Sequence, residues 1–97
     1  MPSYVLLARF TEQGIKDVKG SVDRGARFQQ AVEAAGGRVG ALYWTQGAYD
    51  IVSAVDFPDE DAAMATLLAL GALGNVRTET LRAFTAEDMR RILAKVG

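Results

Sequence analysis

Histidine and cysteine are both absent from this 97-residue chain. Without cysteine there is no disulfide, no thiolate nucleophile, no iron–sulfur cluster and no cysteine zinc site. Without histidine the usual haem and zinc ligand is missing, and so is the commonest general base near neutral pH. These absences predict no cofactor and no metal. Long apolar runs are missing too. The Leu67–Leu73 stretch is interrupted by Gly71 and is far short of the ~18 apolar residues that span a bilayer. No membrane association is expected. Excess positive charge is also lacking: net charge is -1 and the pI is about 5.3. No lysine or arginine block occurs, so duplex nucleic acid is a poor partner. Met1-Pro2-Ser3 leads straight into a strand, without the basic start and cleavage site of a secretory signal. Cytoplasmic residence is the default expectation.

What remains is 49% hydrophobic and 24% charged, an ordinary globular profile. The length predicts one domain over residues 1–97. Its apolar content is generous for so small a body, which leaves apolar surface for a partner.

Tyr4–Phe10 reads as a strand rich in aliphatic and aromatic residues. Thr11 caps a short helix over about Glu12–Lys19, and Gly20 ends it. Ser21 caps the next helix, in which Phe28, Val32 and Ala35 recur at helical spacing. Gly36-Gly37 stops that helix. Val39–Thr45 and Tyr49–Phe57 form a hairpin about Gln46-Gly47. Pro58 and the acidic run Asp59-Glu60-Asp61 begin a third helix, apolar around much of its circumference and so expected to have two neighbours. Gly71–Asn75 closes it. Val76–Phe84 alternates as a strand with a wet side. Thr85 caps a last helix, with Asp88 at the capping-box position and an apolar stripe of Met89, Ile92, Leu93 and Val96.

This order predicts an α+β, ferredoxin-like βαββαβ domain with a C-terminal helix and a four-stranded antiparallel sheet. Right-handed crossovers place both main helices on one face. The first and third strands are apolar on both parities, so the other face is apolar as well. Water against such a face costs about 25 cal/mol per Å². The expectation is a symmetric homodimer, or a higher homo-oligomer, with sheets face to face. The alternative is that the terminal helix folds across that face.

Tyr4-Val5-Leu6-Leu7, the stretch Tyr43-Trp44-Thr45-Gln46-Gly47-Ala48-Tyr49-Asp50 and Gly74-Asn75-Val76-Arg77-Thr78-Glu79-Thr80 together resemble the GYD domain family. Ala48 interrupts the literal Gly-Tyr-Asp tripeptide. The resemblance spans almost the whole chain and implies a family of small bacterial proteins grouped with the dimeric α+β barrel superfamily. The Gly47-x-Tyr49-Asp50 and Gly74–Thr80 segments are also similar to the effector-binding domain of Lrp/AsnC-type regulators. No helix-turn-helix precedes the domain, so this likeness implies at most a stand-alone effector module.

Four residues are candidate ligand contacts. Asp50 is a carboxylate placed to hold an amine or take a proton; its structural alternative is an arginine partner or a turn acceptor, the commoner fate. Tyr49 can offer its hydroxyl to a ligand or serve as core. Trp44, the lone tryptophan, can stack on a flat ligand or anchor an interface. Arg77 shares a parity with Glu79 and can line a polar pocket or sit on a solvated edge. The leading functional expectation is a small-molecule (metabolite) binding or sensing module. The alternatives are a cofactor-independent monooxygenase- or isomerase-like enzyme and an oligomerisation module without ligand.

Overall fold

Four antiparallel strands pair in the order β2-β3-β1-β4 in a computed structural model that describes residues 1–97. The strands are β1 (Ser3–Phe10), β2 (Arg38–Trp44), β3 (Ile51–Asp56) and β4 (Val76–Ala83), and the helices are α1 (Glu12–Lys16), α2 (Ser21–Ala34), α3 (Glu60–Ala72) and α4 (Ala86–Leu93). The expected βαββαβ order and terminal helix are present.

The period of two in β1 sorts its residues between two layers. Tyr4, Leu6 and Ala8 are buried beneath the helices. They pair in register with Val55, Ser53 and Ile51 of β3. Val32 from α2, Ala63 from α3 and Phe57, just past β3, complete the core with Tyr4, Leu6 and Val55. The Tyr4 and Phe57 rings meet edge to face, with centroids 6.1 Å apart. Ser53 enters this apolar layer at little cost, because its hydroxyl donates to the Ala41 carbonyl at 2.6 Å.

Several boundaries differ from the sequence reading, each for a local reason. The first helix stops at Lys16, and Val18–Gly20 winds as a 3-10 turn. The Asp17 carbonyl accepts from the Gly20 amide at 3.0 Å, the bond that defines this turn, and from Arg24 Nη1 at 2.7 Å. Ser21 is the first residue of α2 rather than its cap, which is Gly20. The third helix starts at Glu60 rather than Pro58, and Asp59 is its cap, accepting from the Ala62 amide at 2.8 Å. Thr85 and Asp88 do form the capping box at the start of α4. That helix ends at Leu93, which leaves Val96 outside its stripe.

The second face of the sheet carries Val5 and Leu7 of β1, Val52 and Ala54 of β3, and the exposed Tyr43 and Leu81. The terminal helix does not cover it. None of the α4 residues is buried, and Leu93 is 56% exposed. The apolar circumference of α3 is also largely uncovered: only Ala63 is buried, while Met64 and Leu68 are exposed. The accessible surface is 6507 Å², about 1,100 Å² above that of a compact monomer of this mass. The radius of gyration is 14.5 Å, against about 12.5 Å for a compact chain of this length.

At the far end of the hairpin Asp56 accepts from Ser3 Oγ at 2.6 Å and from Arg38 Nη2 at 2.7 Å. The Ser3 hydroxyl first, and then the Arg38 guanidinium, hold its carboxyl below the ordinary value of 3.8. A carboxylate whose folded pKa is depressed adds stability above its unfolded pKa and loses it as pH falls through the folded value. The melting temperature should therefore decline as pH drops below about 4. Asp56→Asn should flatten part of that decline in a pH series of thermal melts. An unchanged slope would mean that Asp56 adds nothing to the acid limb.

Candidate functional site

The turn from Thr45 to Asp50 separates two neighbourhoods on opposite sides of the sheet. Gly47 adopts a positive φ of 101°, a torsion that glycine takes without a Cβ clash. The Thr45 amide donates to the Asp50 carbonyl at 2.8 Å, and the Asp50 amide donates to the Ala8 carbonyl at 2.8 Å. The Asp50 carboxylate in turn accepts from the Phe10 amide at 2.8 Å. Its side chain thus stands in for a backbone acceptor along β1. For this reason β3 begins at Ile51, and neither Tyr49 nor Asp50 belongs to a strand.

On the helix side, Trp44 lines a cleft of about 590 Å³ between the sheet and helices α2 and α3. Indole Nε1 donates to Ser21 Oγ at 2.8 Å. A Cβ at Gly25 would lie 3.2 Å from the indole ring. A glycine in the middle of a helix costs about 1 kcal/mol relative to alanine; here it gives the tryptophan room. Phe28, Leu42 and Leu70 supply further apolar wall.

Two arginines, Arg24 and Arg27, reach this cleft, and no carboxylate lines it. Arg24 is committed: its guanidinium pairs with the Asp17 carboxylate at 3.1 Å and donates to the Gly14 carbonyl at 3.2 Å. Arg27 takes part in none of the five ion pairs of the chain, which join Arg9–Glu79, Lys16–Glu12, Arg24–Asp17, Arg38–Asp56 and Arg91–Asp88.

The open face carries a second, polar group. The Tyr49 hydroxyl donates to Glu79 Oε2 at 2.9 Å. The Arg9 guanidinium lies 4.4 Å from the Tyr49 ring centroid and 3.3 Å from Glu79 Oε1. Arg9 Nε also donates to the Ala48 carbonyl at 2.9 Å, tying β1 to the turn. The ion pair is half exposed on both sides, so it is worth only about 0–1 kcal/mol. The stacking of Arg9 on Tyr49 adds about 0.5–1 kcal/mol. Arg77 shares this face as an exposed residue, in register with Arg9.

The four residues singled out from the sequence therefore do not converge. Trp44 faces the cleft, Tyr49 and Arg77 belong to the open face, and Asp50 secures the turn between them. Arg9, Arg24 and Arg27 escaped the sequence reading. A mid-helix glycine four residues after Ser21 was the one signal that α2 approaches something large. The Arg9–Glu79 pair links residues 70 apart and carries no local signal.

Comparison with known proteins places this geometry among relatives. A curated protein of Thermus thermophilus, described as a glutamine synthetase and cystathionine beta-lyase binding protein, is 31% identical over 90 residues, covering 92% of this chain and 95% of the relative. The crystal structure of TTHA0845 from Thermus thermophilus superposes with a TM-score of 0.57 at 26% identity, covering 89% of this chain and 96% of that one. The GYD domain profile matches residues 4–93, and the chain thus belongs to the GYD domain family.

Proposed function

We propose that this protein is a small-molecule binding or sensing module whose ligand occupies the cleft between the sheet and helices α2 and α3. The observation that carries this reading is the cleft itself. Its 590 Å³ falls within the roughly 300–1,000 Å³ range of ligand pockets. Twelve of its 18 lining residues are hydrophobic, which suits an apolar body held by a few polar groups. The lining offers no carboxylate, histidine or cysteine, so it favours binding over turnover. The Thermus relative is described as binding two proteins, glutamine synthetase and cystathionine beta-lyase, which supports a binding role in general and leaves the small-molecule reading to rest on the cleft. Trp44 is the proposed contact within the cleft. Tyr49, Asp50 and Arg77 act at one remove, through the turn and the open face.

We further propose a homodimer through the open sheet face. The surplus of about 1,100 Å² exceeds the roughly 800 Å² per partner that a stable interface requires.

Trp44 reports on the cleft, because no other tryptophan contributes to the emission. Titration with the dye 1-anilinonaphthalene-8-sulfonate should quench Trp44 saturably at one dye per chain. Ala69→Phe, which narrows the cleft, should remove that response while leaving the circular dichroism unchanged. A response that survives Ala69→Phe would place the dye elsewhere and sink the assignment.

A further inference from the structure

We infer that the cleft selects amphipathic anions, with Arg27 holding the head group. This rests on the proposal that the cleft is a ligand site and adds the chemical class of the ligand. Three observations carry it. First, the walls are apolar and aromatic, so the buried part of the ligand is hydrocarbon or an aromatic ring. Second, the only charged residues that line the cleft are arginines, Arg24 and Arg27. A cationic ligand would meet like charge there, and a neutral one would leave a guanidinium beside an apolar body without a counter-charge. Third, the two arginines are not equivalent. The Arg24 side chain is 17% exposed and its guanidinium is spent on Asp17 and Gly14. Arg27 has no carboxylate partner and is exposed, and its planar fork matches a carboxylate, sulfonate or phosphate oxygen pair.

The polar groups of the site reinforce this division of labour. The indole N–H of Trp44 is already satisfied by Ser21, so the tryptophan offers its ring and not a donor. Ser21, whose hydroxyl accepts from the indole and keeps its own O–H, Thr66 and Asn75 are the remaining lining side chains able to donate to a head group. The ligand implied is an apolar tail or ring carrying one anionic end.

The test compares three probes that share a ten-carbon tail: decanoate and decyltrimethylammonium, each below its micelle concentration, and decan-1-ol below its solubility limit. Trp44 emission is followed on the full chain. Decanoate should saturate at a concentration up to about fivefold below that for decan-1-ol, since an exposed ion pair is worth up to about 1 kcal/mol. The cationic probe should give the weakest response. Arg27→Gln should abolish the advantage of decanoate over decan-1-ol and leave the melting temperature unchanged. Equal responses to all three probes would overturn the anion selectivity while the cleft remained a site. No saturable response to any probe would overturn the cleft as well. A decanoate advantage that persists in Arg27→Gln would remove Arg27 from its role.

Discussion

Phe57→Ala is expected to remove a large part of the stability of the protein. Phe57 is fully buried and is the largest such side chain in the chain. Its ring touches the Tyr4 ring edge to face, and its backbone amide donates to the Pro2 carbonyl at 3.0 Å, tying the end of β3 to the N-terminus. Truncation of a buried phenylalanine costs about 3–5 kcal/mol. A chain of this size has about 5–15 kcal/mol in total, and this chain buries only 11 of its 97 residues. The melting temperature should fall by about 4–8 °C for each kcal/mol lost. Urea denaturation followed by circular dichroism checks this. A loss below about 1 kcal/mol would show that the core is looser than the buried ring implies.

Ala54→Glu is expected to convert the homodimer proposed above into monomers. Ala54 lies on the open face, between Val5 of β1 and Ala41 of β2 in register. It is exposed in the single chain, so the substitution should change the intrinsic stability of that chain by no more than about 0.5 kcal/mol. Across a sheet-on-sheet interface the same change buries an unpaired carboxylate. That costs about 3 kcal/mol or more per charge, and two-fold symmetry places two of them in the interface. Light scattering at micromolar concentration should read twice the chain mass for the parent and the chain mass for the variant. A dimeric Ala54→Glu would move the interface off this face. A monomeric parent would remove the interface altogether.

Much of the fold was legible because its signals are local. The apolar run of β1, the Gly47 turn and the Thr85–Asp88 box each depend on neighbours within a few residues. Boundaries failed where a distant group intervened. Tyr49 and Asp50 read as strand residues by composition, but the Phe10 amide claims the Asp50 carboxylate from across the sheet. In the 3-10 turn at Val18–Gly20 the Asp17 carbonyl serves both the Gly20 amide and the Arg24 guanidinium, which reaches back from α2. The expectation that α3 has two neighbours rested on its apolar circumference, and in the single chain its outer side stays bare. That hydrophobicity marks surface in search of cover, which composition alone cannot tell from core.

The candidate site was less legible than the fold. Trp44 was singled out, but its setting depends on Ser21 and Gly25, which a propensity reading treats as a cap and a weak point. The Arg9–Tyr49–Glu79 group joins three segments that meet only once β1, β4 and the hairpin turn have assembled. Arg27 is one of eight arginines, and nothing in its sequence neighbours distinguishes it. Its interest comes from lacking the carboxylate partner that Arg24, beside it in the cleft, possesses.

The two outer strands carry a consequence for how copies of this chain add to one another. The ladder of β2 is offset by a register shift between Val39 and Ala41, and β4 presents Arg77, Glu79 and Arg82 along its length. Irregular or charged rims are poor templates for a further strand. End-to-end zipping into an open-ended fibre is therefore disfavoured, and growth that proceeds by hiding faces stops once those faces are spent.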